Sequence, residues 1–163
     1  ITAVVGKRAV MEEAQSTFIS STFWTERIGP TAAIATLKIM EREKSWEKIT
    51  RIGIEMQKRW KELALIHDLD ISISGIPAIT SYKFNSRNSL EYKTLVAQEM
   101  LKKGFLASTN FYACTKHSFK YLEMYFSELN EIFKKIKKCE SETIDLATLL
   151  EGPTCHSGFK RLN

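Results

Sequence analysis

The chain has 163 residues, 44% hydrophobic and 26% charged, with only 7 Gly and 3 Pro, the profile of one packed domain or one and a fraction. Its 24 basic and 19 acidic residues leave a formal charge of +5 that is scattered along the chain, so charge gives no argument for nucleic acid. Three cysteines, odd in number and widely spaced, argue against a disulfide framework and suit a reducing cytoplasm, and no run of about 18 apolar residues is present to cross a membrane.

Residues 1–6 (ITAVVG) are apolar, β-rich and closed by a glycine, which predicts a strand. The sequence opens inside that element without an initiator Met, and so reads as a piece of a longer or processed polypeptide. Residues 7–15 (KRAVMEEAQ) have short helical character, and residues 16–27 are polar and aromatic without a period, hence loop. Pro30 after Gly29 suits a first helical turn, where its missing N–H costs nothing. The helix continues through Ala32, Ala33, Ile34, Ala35, Leu37 and Met40, and its small residues predict close packing against a neighbour.

Ser45 is placed to cap a longer helix whose apolar positions, Trp46, Ile49, Ile52, Met56, Trp60, Leu63 and Ile66, recur in steps of three and four. Alternation then predicts strands at residues 71–75 and 78–84, on either side of Pro77. Asn88 with Glu91 resembles a capping box for a helix over residues 89–103, which ends at Gly104, a suitable left-handed C′ residue. Residues 105–107 read as a short buried strand and residues 108–117 as a polar aromatic loop. Ser118 opens the strongest amphipathic helix, with Phe119, Leu122, Phe126, Leu129, Phe133 and Ile136 on one stripe. Lys134, Lys135, Lys137 and Lys138 close it, their charge suited to a helix C-terminus. A last short helix over residues 144–150 precedes a Gly152-Pro153 turn.

The order helix, strand, strand, helix, strand, helix predicts an α/β (α+β) domain in which a three- to four-stranded, mostly antiparallel sheet is covered by helices. The first forty residues read as a different unit.

Several clusters carry chemistry-bearing residue types. Cys114 and His117 with Cys155 and His156 are zinc-ligand types, but an adjacent Cys-His pair seldom aims both side chains at one ion, so the residues argue for no metal. Cys114 with His117 also has the types of a nucleophile and its base, with no third group to orient them. The lysines near residue 136 are explained by the helix end and lack interleaved aromatics. Ser20, Ser21 and Thr22 precede a Gly-Pro helix start, and hydroxyls beside free helix N–H groups are one way to meet a phosphate. Many such loops hold nothing, and a simple polar turn is the plainer reading of the residues alone.

Those same residues carry a resemblance. Residues 1–7 (ITAVVGK), Ser21-Thr22-Phe23 and residues 29–37 (GPTAAIATL) resemble class III pyridoxal-phosphate (PLP) aminotransferases, glutamate-1-semialdehyde 2,1-aminomutase and its relatives in particular. Gly75-Ile76-Pro77, Met100-Leu101 with Gly104-Phe105-Leu106-Ala107, and His117-Ser118 extend it over nearly the whole chain. The resemblance implies the C-terminal portion of a fold-type-I dimer, with residues 1–37 ending the large cofactor domain and residues 38–163 forming the small domain. It implies that Thr22 hydrogen-bonds the cofactor phosphate of the other subunit, flanked by Ser21 and Phe23, and that the substrate is a small amino compound. The Schiff-base lysine of the family falls ahead of this chain, Lys7 being out of place in the pattern, so no catalytic residue is assigned and the isolated chain is expected to be inactive. Where the aminomutases read Phe-Glu-Ala, this chain has Phe111-Tyr112-Ala113, and Trp24-Thr25-Glu26-Arg27 lengthens the loop after Thr22. Tyr112 and Arg27, the latter by bidentate pairing with a carboxylate, are therefore the substrate-contact candidates. A free-standing, non-catalytic interaction module derived from such a domain is the alternative.

Overall fold

The computed structural model describes residues 3–18, 22–23 and 25–158. The chain divides into two compact units, Ile1–Ser45 and Trp46–Asn163.

The first unit contains α1 (Arg8–Ala14) and α2 (Ile28–Glu43). The strand expected over residues 1–6 does not form at residues 3–6, which are exposed and pair with nothing; residues 1 and 2 lie outside the described residues. A strand is stable only when a neighbour takes its N–H and C=O groups, and among the described residues none does. α2 begins two residues ahead of Pro30, leaving the proline in the first turn where no hydrogen bond is lost. It ends at Lys44 in the left-handed region (φ 47°). None of the described residues of this unit is buried, so the close packing expected of the alanine-rich stretch is not made within it.

The second unit is built on α3 (Ser45–Ile66), α4 (Ser89–Lys102) and α5 (Phe119–Glu140), packed with an antiparallel sheet of order β1-β2-β3. α3 buries Ile52, Gly53, Met56, Trp60, Leu63 and Ala64. The predicted stripe overshoots at both ends, since Trp46 and Ile66 are exposed. The strands β1 (Ile71–Ile76) and β2 (Ile79–Phe84) form a hairpin in which Ile76 pairs with Ile79 across Pro77-Ala78. Thr80, buried on β2, donates its hydroxyl to the Ser74 carbonyl (3.0 Å) and accepts from Gln57 Nε2 (2.9 Å), tying the hairpin to α3. A buried hydroxyl satisfied on both sides avoids the desolvation cost of an orphan.

The capping box at α4 is not made: the Asn88 side chain does not cap the helix, and its amide instead donates to the Tyr92 hydroxyl (3.4 Å). The C-terminus is as expected. Gly104 (φ +81°) donates its N–H to the Leu101 carbonyl and Phe105 donates to the Met100 carbonyl, the two bonds of a Schellman motif. The strand expected at residues 105–107 lies instead at β3 (Asn110–Tyr112), within the stretch expected as loop. Phe105 and Ala107 still pack against the core, but Leu106 is 97% exposed, and the edge of β2 meets the chain only from Thr109, whose carbonyl accepts the Tyr82 N–H, onward.

α5 starts as expected at Ser118, whose hydroxyl accepts the Tyr121 N–H. It buries Leu122, Tyr125, Phe126, Leu129, Ile132, Phe133, Ile136 and Cys139, while Phe119 at the head of the predicted stripe is half exposed. The lysines at its end do more than complement the helix terminus: Lys135 pairs with Glu99 (2.5 Å) and Lys137 with Asp68 (2.7 Å). The final helix is reduced to a 3₁₀ turn, Leu146–Thr148. In the core, Trp60 donates its indole N–H to the Tyr125 hydroxyl (3.1 Å), and Tyr82, Phe84, Tyr92 and Phe133 meet edge to face or tilted. No helix among the described residues is long and apolar enough to cross a membrane.

Candidate functional site

Two places hold the residues singled out in the sequence, one in each unit. In the first, Thr22 and Phe23 are exposed in the turn before α2; Ser21, and with it Ser20 and Trp24, lies outside the described residues. Arg27 is the N-cap of α2, and its carbonyl accepts the Thr31 N–H. Arg27 is exposed, and no carboxylate lies at ion-pair distance from its guanidinium among the described residues.

The helix start itself differs from the phosphate cradle considered from the sequence. Glu26 folds back onto α2, its two carboxylate oxygens accepting the N–H groups of Ile28 and Gly29. Pro30 has no N–H, and Thr31 is already bonded to Arg27. The first-turn donors are thus taken by a side chain that brings negative charge to the positive end of the helix, a favourable pairing that competes with an external anion. Among the described residues of the Ser20-Ser21-Thr22 stretch, Thr22 is exposed and offers a hydroxyl. Lys7 is exposed.

The second place is a cleft of about 490 Å³ in the second unit, between the turn after α4, β3 and the start of α5. Tyr112 lines it, largely exposed on β3 and paired with Ile79. Opposite, His117 lies over Phe111 with ring centroids 4.8 Å apart and planes at 32°. Its Nδ1 accepts the Cys114 N–H (3.1 Å), so the neutral ring carries its proton on Nε2. Burial lowers the His117 pKa, favouring that neutral form. Phe105, Leu122 and Tyr125 form the apolar floor, and Tyr121 stands at the rim.

In the sequence this histidine reads as a zinc-ligand type, as a partner for Cys114 and as the residue before a helix cap, and none of these readings indicates its place in the cleft. The density of aromatics over residues 105–125 was the available signal, but the stacking depends on a chain reversal that no period encodes. The zinc arrangement is not assembled: among the described residues no group of three or more His, Cys, Asp or Glu is placed to hold a metal. His117 Nδ1 is occupied by a backbone donor, and Cys155 is bonded instead to α4, its N–H to Thr94 Oγ1 (2.9 Å) and its thiol to the Leu90 carbonyl (3.5 Å). Nor does the arrangement of Cys114 and His117 make a nucleophile, since the contact runs from backbone to ring rather than from thiol to ring. A second depression of about 530 Å³ is lined by Trp46, Ile54 and Phe119 together with Glu47, Thr50, Arg51 and Glu55, and includes none of the residues singled out as site candidates in the sequence.

No protein-family profile matches this chain, and no curated protein matches it in sequence. Among solved structures it is similar to the PLP internal aldimine form of the FumI protein from Sphingopyxis sp. MTA144, with a TM-score of 0.72 and 17% identity. The similarity covers 90% of this chain and 36% of that one, so the present chain spans little more than a third of its length. At this identity the match shows a shared fold: this chain folds as part of that protein does.

Proposed function

We propose that this chain is the C-terminal portion of a PLP-dependent aminotransferase or aminomutase of the class III type, similar to glutamate-1-semialdehyde 2,1-aminomutase and its relatives. Residues 1–37 would end the large cofactor domain and residues 38–163 form the small domain, in a cytoplasmic homodimer acting on a small amino substrate. The observation that carries this reading is the match in fold over 90% of the chain to a protein described in its PLP internal aldimine form. The order of the motifs from Gly29-Pro30 to His117-Ser118 supports it independently of the coordinates.

PLP, when bound, supplies the electron sink for chemistry at the substrate amine. The chain's own residues fit a limited share of its binding. Thr22, exposed in its turn, offers a hydroxyl donor to a phosphate oxygen, a charge-assisted bond stronger than a neutral one. The α2 terminus adds none, because Glu26 occupies it. Ser21 and Phe23 flank Thr22 in sequence, Arg27 offers a fork for a substrate carboxylate, and Tyr112 offers a phenol. No lysine of this chain takes the Schiff-base role.

Sequencing the transcript upstream of Ile1 tests the reading. A reading frame continuing through a glycine-rich, lysine-bearing segment is expected, and a start codon close to Ile1 would refute it. In the protein so encoded, Thr22→Ala should weaken PLP binding about tenfold, the loss of one hydrogen bond to a charged group; unchanged affinity would remove Thr22 from the site.

A further inference from the structure

The cleft beside β3 has a composition that says what it accepts. Not one of its lining residues is Asp, Glu, Lys or Arg. Its one ionisable ring in the neutral range is His117, which lies over Phe111 and is half-buried. Protonating Nδ1 would cost the hydrogen bond from the Cys114 N–H, so the ring is held uncharged. That leaves Nε2–H as a donor for which no acceptor exists among the described residues, set against an apolar floor of Phe105, Leu122 and Tyr125. A carboxylate entering here would shed water without meeting a cation, which is costly, whereas a flat apolar group loses nothing by doing so. At about 490 Å³ the cleft is of the size that holds a small organic ligand.

We propose that this cleft receives an uncharged aryl or alkyl portion of the substrate carrying a single oxygen acceptor, which takes the His117 Nε2–H. It thereby selects substrates with an uncharged apolar tail against those with a second carboxylate. The assignment of the tail to a substrate rests on the reading of Tyr112 as a substrate contact, whereas the binding preference belongs to this chain alone.

The test uses the full chain, isotopically labelled, titrated separately with acetophenone and benzoate and followed by NMR of the His117, Tyr112 and Tyr121 side chains. Acetophenone should shift the His117 Nε2 and Tyr112 signals with a dissociation constant of the order of 1 mM, as befits so small a ligand. Benzoate, of nearly the same shape, should bind at least about tenfold more weakly. Ala107→Phe, which narrows the cleft, should abolish the acetophenone shifts while circular dichroism confirms the fold. Leu106→Arg, at a position 97% exposed and so harmless to packing, should place a cation at the rim and raise benzoate affinity severalfold. Equal binding of both probes to the unaltered chain, or no shift at His117 with either, would overturn the proposal. Neither probe involves PLP. A failure here combined with a reading frame that continues upstream of Ile1 through a lysine-bearing segment removes the cleft alone, while acetophenone binding with a start codon close to Ile1 removes only the enzyme reading.

Discussion

Gly53→Ala sets helix propensity against packing, and the two predict opposite signs. Gly53 is buried inside α3, where alanine would favour the helix by about 1 kcal/mol. A Cβ at this position, however, would stand 1.8 Å from the Pro77 carbonyl oxygen, 2.3 Å from its carbon and 2.9 Å from its Cα. Ordinary carbon–oxygen contacts lie at about 3.3 Å, so α3 and the hairpin turn would have to separate by roughly 1.5 Å. The obstacle is backbone and cannot rotate away. Such a shift would stretch the Gln57–Thr80 hydrogen bond (2.9 Å) and expose the buried Thr80 hydroxyl, a loss of about 1–2 kcal/mol. Overpacking adds about 1–3 kcal/mol, so the net effect is a destabilisation of about 2–4 kcal/mol. In a urea titration followed by tryptophan fluorescence and far-UV circular dichroism, the midpoint should fall by about 1–2 M. Gly104→Ala is the control: with φ +81° and no atom within 4 Å of the added Cβ, it should cost only the left-handed conformation, about 1–2 kcal/mol. A Gly53→Ala midpoint equal to or above the parent's would refute the argument, because only propensity would then be at work.

Acid should weaken the α4–α5 contact through Glu99. Its burial pushes the pKa up, but Lys102, Lys135 and Gln98 outweigh that and hold the carboxyl at about 2. A folded pKa below the unfolded one means that this contribution is complete above about pH 4.5 and drains away as pH falls toward 2. Discounted for the exposure of both lysines, it amounts to about 1–2 kcal/mol, and Glu99→Gln should flatten the stability profile over that window. Arg59→Ala removes a fork that grips both Glu123 oxygens (2.6 and 3.1 Å) and lies 4.3 Å over the Phe126 ring. It should cost about 1–2 kcal/mol by chemical denaturation, with little salt dependence in the part due to stacking. Mixing the chain with PLP and then borohydride should label no single lysine, and stoichiometric modification of Lys7 on mass spectrometry would contradict the reading. Thr22→Ala, altering an exposed turn, should leave stability within about 0.5 kcal/mol of the parent.

Local patterns were enough to determine α3, α4, α5 and the β1–β2 hairpin, because each buries a face whose period is written in the chain. Ser118 and Gly104 marked their helix ends because a hydroxyl cap and a left-handed glycine act within a few residues. Gly75-Ile76-Pro77 was visible as a motif, but only the tertiary structure explains Pro77: its carbonyl sits where any side chain on Gly53 would be. The position of β3 was decided the same way, by the free edge of β2 rather than by the apolar run at residues 105–107. The strand expected at the N-terminus lacks a neighbour among the described residues, and the capping box at Asn88 lost to a contact with Tyr92. At the candidate sites, the hydroxyls before Gly29-Pro30 drew attention to Thr22, and the family resemblance alone to Tyr112. Two facts lay beyond the sequence, that Glu26 fills the α2 terminus and that His117 turns one nitrogen to the Cys114 backbone. Both depend on where the chain reverses, and a reversal is set by the packing around it rather than by any period along it.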